Sequence, residues 1–316
     1  MKRSRFQYSI STDNTLPYYG ENQCQREGCS RNAYYVYENE TNVLCGMHSR
    51  ATKRRKFKLR PDPHRHEKKM KLLAERETLV ENAAHANRIK GETGHVIVAK
   101  LNMMKQPPHK DGYRKVFPNF KHQNRVDGYG CKALSPMALG PVQHGQDGLP
   151  DAMNIENYHQ FNKVFPNEVD SNGDPLPIFF ERQLQGYLDR TPHRHKFPLH
   201  MMKQLGQGNK NTPLFSLHDG KRYTYVESRQ FYCKQYEMLA KETKEFKDLQ
   251  KMIADGINLM IVGYDGYKDG VTQPLMDHYL DPSKPFGHEL VLYSLLVIEN
   301  PDDYPWNVYV REQQLK

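Results

Sequence analysis

The segment NIENYHQFNKVF contains residue types that suit catalysis or ligand binding, and the first of them is the carboxylate of Glu156. Asn154 is a predicted helix N-cap there, which places Glu156 in the first helical turn, where the helix dipole keeps a carboxylate ionised. Gln160 and Lys163 follow four and seven positions later, on the same helical face. A carboxylate flanked by an amide and a cation predicts a face that holds a sugar phosphate. The alternative is an ordinary polar helix surface.

A second carboxylate, that of Asp265, follows the apolar run INLMIVG and stands in a glycine-flanked turn. A loop directly after a buried strand is a common place for an active-site residue. The same position suits an Asx-turn, in which the side chain only stabilises the loop. The local sequence leaves both interpretations open.

Four residues near the N-terminus are of types that bind metal ions, and they form two close pairs. Cys24 and Cys29 are separated by four residues, and Cys45 and His48 by two, with fifteen residues between the pairs. Three thiolates and one imidazole make a complete tetrahedral set for zinc. We therefore predict a structural Zn²⁺ site in a small zinc finger, because four protein ligands leave no open position for a substrate.

This finger resembles a short cysteine-rich motif of large DNA viruses and brown algae, C-x4-C-x16-C-x2-H. The middle gap is one residue shorter here, and the similarity spans only residues 24–48. The resemblance suggests a large DNA virus as the source of the chain.

The later part of the chain resembles the NADAR family of N-glycosidases over residues 113–299. Several segments resemble family motifs in the same order: YGCKALSPMALGPV (129–142), IENYHQFNKVF (155–165), YEMLAKETKEFKDLQKMIADGINL (236–259), LMIVGYDGY (259–267) and GHELVLYSLL (287–296). The second segment matches the family helix at Glu156, Tyr158, Gln160 and Lys163, and the fourth places Asp265 at the family aspartate.

The resemblance implies hydrolysis of a bond between ribose and a nitrogenous group. Characterised NADAR proteins act on phosphoribosylamino-pyrimidines of riboflavin synthesis or remove ADP-ribose from guanine, so a nucleotide or ADP-ribose-type ligand is expected. Two carboxylates suit this reaction, because one stabilises the cation that develops at the anomeric carbon and one handles a proton. The expected catalytic residues are Glu156 and Asp265, with the acid and nucleophile roles left open.

The resemblance also implies roles for other polar side chains. Gln160 would orient sugar hydroxyls, and Lys163 or Arg182 would meet a phosphate. Tyr158 or Tyr267 would stack on the base.

The chain departs from the family at three places. Ile261 replaces the strand glutamate, Tyr267 and Lys268 replace a Trp-Gly pair, and His288-Glu289 replaces an asparagine. These departures support an alternative, in which a NADAR-like scaffold serves a non-enzymatic nucleic-acid-binding or virion-associated protein. We expect His288 and Glu289 to begin a helix rather than to form a catalytic pair.

Positive charge is concentrated in one segment. The chain carries 46 Lys and Arg against 37 Asp and Glu, a net charge of +9. Residues 50–71 contain eleven of the basic and two of the acidic residues, also +9, so the remaining 35 of each sign cancel. Clustered cations attract phosphates irrespective of sequence, which makes DNA or RNA a candidate partner. A nuclear address and a solvated tail are the alternatives.

The order of the predicted secondary-structure elements indicates an α+β fold, because helical and strand-like segments occur without regular β-α-β alternation. We expect a mainly helical NADAR-like domain with short strands and a small N-terminal zinc finger. The predicted division is a disordered tail (1–22), the finger (23–49), a basic linker with a helix (50–112) and the NADAR-like domain (113–316).

Other patterns carry less weight. The pairs His64/His66 and His193/His195 lie among basic residues and lack a third ligand, so we expect them to be solvated.

No apolar run reaches the roughly 18 residues of a membrane span, and the N-terminus lacks a secretory apolar region. Five cysteines without secretory context favour a reducing compartment. We therefore expect an intracellular protein of the host cytoplasm or nucleus, including a virus factory or virion, with no membrane contact.

Overall fold

The computed structural model describes residues 10–13, 15–50, 54–60, 62–102, 106–195, 212–267 and 274–314. The chain forms two compact units, Met1–Glu75 and Arg76–Lys316. Both helices and sheets are present, so the α+β class is confirmed. No helix in the described ranges has the length and apolar character needed to cross a membrane.

The N-terminal unit contains a three-stranded antiparallel sheet in the order β2-β1-β3. Its strands are β1 (Tyr35–Tyr37), β2 (Val43–Leu44) and β3 (Lys56–Lys58). Two small groups of buried side chains support the sheet. The apolar cluster contains Leu16, Ala33, Val36, Val43 and Leu59, and in the second group Tyr37 and Leu44 pack with Cys24 and Cys45. Groups of this size bury too little apolar surface to stabilise such a unit without a further crosslink.

Two sequence-based expectations for this unit need correction. Leu16 lies in the apolar cluster, and Ile10 forms a β-bridge with Lys58, so the described part of residues 1–22 belongs to the unit instead of forming a disordered tail. Residues 1–9 and 14 of that predicted tail lie outside the described residues. Part of the basic segment is also structured, because β3 pairs with β1; residues 51–53 and 61 of that segment are likewise outside the description.

Eight α-helices occur in the described residues. They are α1 (Arg65–Lys90), α2 (Ile155–Phe161), α3 (Pro177–Leu188), α4 (Arg229–Lys241), α5 (Lys244–Ala254), α6 (Leu275–Leu280), α7 (His288–Val297) and α8 (Pro305–Gln314). The helix expected within residues 50–112 is α1, and it ends before Gly91, whose φ of +71° is a conformation that glycine adopts without strain.

The second unit is built on a four-stranded parallel sheet in the order β4-β10-β5-β6. Its strands are β4 (Val96–Lys100), β5 (Tyr113–Phe117), β6 (Tyr129–Gly130) and β10 (Asn258–Gly263). All six residues of β10 are buried, as expected for a central parallel strand covered on both faces. Because β4 pairs with β10, the second unit begins before residue 113, which corrects the predicted boundary.

A second, antiparallel sheet joins β7 (Lys163–Val164), β8 (Phe215–His218) and β9 (Lys221–Tyr223). Asp219 and Gly220 connect β8 to β9, with φ values of +48° and +70°. Positive φ at both central residues is typical of a tight hairpin turn, and Asp-Gly is a favoured pair there.

Helices complete the surroundings of the parallel sheet. The helices α4 and α5 are separate, because Thr243 caps α5 by accepting a hydrogen bond from Phe246 N at 3.1 Å. The helix expected to begin at His288 and Glu289 is α7, which packs against β4 and β10. This packing brings the start of α7 beside the end of β10.

Candidate functional site

A cavity of about 590 Å³ opens in the second unit where α2, the loop after β10 and the start of α7 meet. Three carboxylates line it, those of Glu156, Asp265 and Glu289. We call this space the acidic cavity. Its volume falls within the range of roughly 300–1,000 Å³ that is typical of small-molecule sites.

Glu156 is positioned by the start of α2. Asn154 is the N-cap of this helix, and its side chain accepts a hydrogen bond from Asn157 N at 2.9 Å, which confirms the predicted cap. The Glu156 side chain is buried, and its Oε1 accepts a hydrogen bond from Gln160 Nε2 at 3.1 Å. Arg194 Nε lies 3.7 Å from the same oxygen. Glu156 is therefore held in place by an amide and a cation.

The side chain of Lys163 contacts Gln160, but Lys163 does not lie on the helix where the sequence places it. Helix α2 ends at Phe161, and Lys163 is the first residue of β7. Its Nζ nevertheless donates to Gln160 Oε1 at 3.3 Å. Burial lowers the pKa of Lys163 to about 8, and the nearby Glu156 carboxylate opposes that shift. A lysine in this state exchanges its proton more readily near neutral pH than a solvated lysine does.

Asp265 lies in the loop that directly follows β10, as the sequence predicts. A Cβ at Gly287 would overlap Asp265 Oδ2, so the absence of a side chain at Gly287 makes room for this carboxylate. Burial, together with the charge of Glu289, raises the pKa of Asp265 to about 6. The carboxyl of Asp265 is therefore able to hold or release a proton close to neutral pH.

Glu289 is the carboxylate of this cavity that was not predicted from the sequence. The predicted helix start is confirmed, since α7 begins at His288, but the Glu289 side chain lies in the acidic cavity as well. Its Oε1 accepts a hydrogen bond from Tyr264 N at 3.0 Å, and it fills the space where a Cβ of Gly263 would lie. Complete burial raises the pKa of Glu289 to about 7.

His288 also lines the cavity, and its Nδ1 lies 3.3 Å from Glu289 Oε2. Burial lowers the pKa of His288 to about 4. The imidazole is therefore neutral at physiological pH and does not compensate the carboxylates with a positive charge. A general sequence signal existed for both residues, namely a His-Glu pair followed by an apolar helix, but that pattern alone does not distinguish a helix start from a site.

The positively charged side chains that line the cavity differ in burial and in their protein partners. The Arg229 guanidinium is buried and donates to backbone carbonyls of the 278–284 segment, including those of Tyr279 and Lys284. It therefore holds that segment in place. Arg194 and Lys121 line the cavity with exposed side chains. These two cations are placed to meet an anionic ligand.

Aromatic side chains form part of the cavity wall. They are Phe120, Tyr225, Tyr232, Tyr264 and Phe286. Tyr264 and Tyr225 are 43% and 38% exposed, so their rings remain accessible to a ligand. Exposed rings beside carboxylates allow a planar base to stack next to the reacting bond.

Four predicted substrate-binding residues do not line the acidic cavity; one is Lys163, described above, and the other three are Tyr158, Arg182 and Tyr267. Tyr158 is buried against His144 and His218, with ring-centroid distances of 5.5 and 5.8 Å. Arg182 donates to Glu168 Oε1 at 2.9 Å. Tyr267 is buried with its ring edge-on to His278 at 5.1 Å.

These placements correct the roles expected for Tyr158, Arg182 and Tyr267. The two tyrosines pack inside the second unit, and the arginine neutralises a fully buried carboxylate. Arg194 and Tyr264 line the cavity, and neither was predicted from the sequence.

In the N-terminal unit, the four predicted metal ligands converge. The ligand atoms of Cys24, Cys29, Cys45 and His48 lie within 4.8 Å of one another. His48 Nδ1 is 3.4 Å from Cys24 Sγ and 3.6 Å from Cys45 Sγ, and the sulfurs of Cys29 and Cys45 are 4.0 Å apart. All three cysteines are free thiols. The group could therefore hold a metal ion.

The separations match a tetrahedral centre. Bonds of about 2.3 Å to sulfur and 2.0–2.1 Å to nitrogen place tetrahedral ligands roughly 3.5–3.8 Å apart. The expectation that His193 and His195 are solvated holds for His193 but is wrong for His195, which is buried. His195 Nε2 lies 2.7 Å from Glu168 Oε1, and His193 Nε2 lies 3.4 Å from Asp189 Oδ2. Among the residues that the structure describes, the Cys3His group is the one convergent set of metal-ligating side chains.

Comparisons with protein-family models, with curated proteins and with solved structures found no match. The chemistry of the acidic cavity and of the Cys3His group is therefore inferred from their own residues.

Proposed function

We propose that the second unit is a divergent NADAR-like N-glycosidase that hydrolyses a ribose–nitrogen bond in an ADP-ribosyl or phosphoribosyl substrate. One observation carries the proposal: Glu156 and Asp265, more than one hundred positions apart in the chain, line the same cavity. That cavity also contains exposed aromatic rings and exposed cations, the groups that recognise a base and a phosphate.

Each carboxylate has a task that suits its surroundings. Glu156, held beside Arg194 and Gln160, stabilises the positive charge that develops at the anomeric carbon as the C–N bond breaks. Asp265, with its raised pKa, handles the proton of the leaving nitrogen. Water adds to the anomeric carbon, so the products are a free ribosyl hydroxyl and the released N–H compound.

Substrate recognition follows from the remaining lining. The accessible ring of Tyr264 lies next to Asp265 in the chain and is placed to stack on the base. Arg194 and Lys121 meet the phosphate or diphosphate of the ligand. Gln160 keeps its predicted role of contacting sugar hydroxyls, and Lys163 acts through Gln160 to position it.

A direct assay tests this function. The full chain is incubated with an oligonucleotide that carries ADP-ribose on guanine and, separately, with a phosphoribosylamino-pyrimidine. Chromatography should show release of the unmodified base or pyrimidine together with a ribosyl product at a rate above the uncatalysed background. Background rates on both substrates would contradict the proposal.

For the N-terminal unit we propose Zn²⁺ as the metal of the Cys3His group, with a structural role. Three thiolates and one imidazole are ligands that zinc prefers, and their separations suit its tetrahedral geometry. Zinc would supply a crosslink between the segments that carry the two ligand pairs. All four positions are taken by protein ligands, so the site leaves no place for a substrate.

A second candidate function, nucleic-acid binding, is favoured by the arrangement of cations and rings in the N-terminal unit. The Arg54 guanidinium lies 4.8 Å from the Tyr37 ring centroid, and that of Arg60 lies 4.9 Å from the Tyr18 centroid. Lys56 Nζ lies 5.6 Å from the Tyr35 centroid. Basic groups interleaved with aromatic rings suit contact with both phosphates and bases.

We expect the full chain to bind a single-stranded oligonucleotide with an affinity that falls steeply as salt increases. Each neutralised phosphate contributes about 0.7 to the slope of log K against log salt. The double variant Arg54→Ala/Arg55→Ala should reduce the slope by about 1 to 2, whereas Lys247→Ala, an exposed lysine of the second unit, should not change it. Fluorescence anisotropy at several salt concentrations measures the slope, and salt-independent binding would exclude this function.

A further inference from the structure

The carboxyl group of Glu289 has no part in the function proposed above, yet it is the most deeply buried acid of the acidic cavity. Its side chain is 1% exposed. Oε1 accepts from Tyr264 N, but Oε2 has no hydrogen-bond partner among the described residues, although His288 Nδ1 lies 3.3 Å away. An ionised carboxylate in this position would leave a buried charge without compensation, which is strongly unfavourable.

Asp265 lies directly beside Glu289. A Cβ built at Gly287 would overlap Asp265 Oδ2 and lie 3.1 Å from Glu289 Oε2. Both carboxyl oxygens therefore approach the same point beside Gly287, and two negative charges this close together oppose each other's ionisation. Glu289 is buried at the wall of the cavity, whereas Asp265 is part-exposed there.

We propose that Asp265 and Glu289 form a carboxyl pair that holds one proton between them near neutral pH, and that Asp265 delivers this proton to the leaving nitrogen. The inference rests on the proposed N-glycosidase function. Asp265 is the catalytic residue of the pair, and Glu289 is a positioning residue, because its effect on the reaction passes through Asp265.

The step is balanced in atoms and charge. The bond between the anomeric carbon and nitrogen breaks, its electron pair goes to nitrogen, and the proton of Asp265 forms the new N–H bond. The oxygen of water bonds to the anomeric carbon, and the proton that water releases returns to the carboxyl pair. The carboxylate of Glu156 stabilises the developing positive charge.

The other charged groups around the pair do not cancel its charge. Burial lowers the pKa of His288 to about 4. The pKa-lowering effects of His288, Lys100 and Arg194 on Asp265 are each smaller than the raising effects of burial and of Glu289. From α4, Tyr232 and Tyr236 interact with Glu289, and their pKa values are raised well above normal, so both rings are neutral. The raised pKa values of Asp265 and Glu289 agree with a shared proton.

The first test does not depend on turnover. Infrared titration of the full chain follows the C=O band of protonated carboxyl groups between pH 6 and 7, the interval given by the two raised pKa values. Wild type should retain about one protonated carboxyl more than Glu289→Gln in this interval. Glutamine keeps an oxygen that accepts from Tyr264 N, so the fold around it is maintained. Identical titrations for the two proteins would overturn the inference.

The second test uses the pH dependence of kcat with the substrate that the direct assay identifies. A general acid works only while protonated, so activity is lost as pH rises through the pKa of the pair. Glu289→Gln removes the like charge and should move this basic limb to lower pH by about one unit. Glu289→Asp keeps a carboxyl group and should retain most of the wild-type limb.

The two tests distinguish a failure of the proposed carboxyl pair from a failure of the proposed N-glycosidase function. An unchanged basic limb in Glu289→Gln would refute proton sharing even if the chain hydrolyses its substrate. An infrared difference without any turnover would instead support the carboxyl pair and count against the N-glycosidase function.

Discussion

Replacing Glu156 with glutamine should lower kcat for ribose–nitrogen hydrolysis by about 100- to 10,000-fold, the usual contribution of a positioned catalytic carboxylate. The amide is neutral and cannot stabilise the cation at the anomeric carbon. Its oxygen still accepts from Gln160 Nε2, so the start of α2 is preserved. Single-turnover kinetics with saturating enzyme measure the loss.

The matched control is Glu181→Gln. Glu181 is an exposed glutamate on α3 that does not line the acidic cavity, so its substitution should leave kcat unchanged. Both variants should melt close to the wild-type temperature in circular dichroism. A Glu156→Gln protein that keeps more than half of the wild-type rate would exclude the proposed role of this carboxylate.

Removing the metal from the Cys3His group should unfold the N-terminal unit and leave the second unit folded. The apolar cluster behind β1 contains five residues, so most of the unit's folding free energy has to come from metal binding, with apparent values of about 10–16 kcal/mol for structural zinc. A chelator or Cys45→Ala should therefore abolish the dispersed amide signals of residues 15–50 in an NMR spectrum.

A matched control separates ligand loss from cysteine loss. Cys131→Ala replaces a buried thiol of the second unit and should leave the metal content, measured by mass spectrometry of the native protein, at one equivalent. An N-terminal unit that keeps its dispersed signals in the Cys45→Ala protein would show that the apolar cluster is sufficient.

The structure also explains why two predicted phosphate ligands lie elsewhere. The family resemblance made Arg182 a candidate, but Glu168 is completely buried and requires a positive partner. Leaving that carboxylate unpaired would cost several kcal/mol. Lys163 is similarly committed, since its Nζ bonds to Gln160 at the edge of the cavity.

Local sequence determined the features that depend on neighbouring residues. The end of α1 at Gly91, the cap at Asn154 and the buried strand β10 each follow from signals within a few positions. The Cys3His group belongs to the same class, because the spacing of two close pairs already specifies ligands for one metal ion.

Tertiary structure alone decided which carboxylates meet. Nothing near Glu289 in the chain indicates that its side chain lies beside Asp265, because their contact depends on α7 packing against the end of β10 and on the missing side chains of Gly263 and Gly287. A polar side chain is available to bind a ligand only if it is not already paired with a buried charge of the protein. The residues that carry such buried charges lie in distant segments of the chain, so the local sequence around the side chain does not predict the pairing.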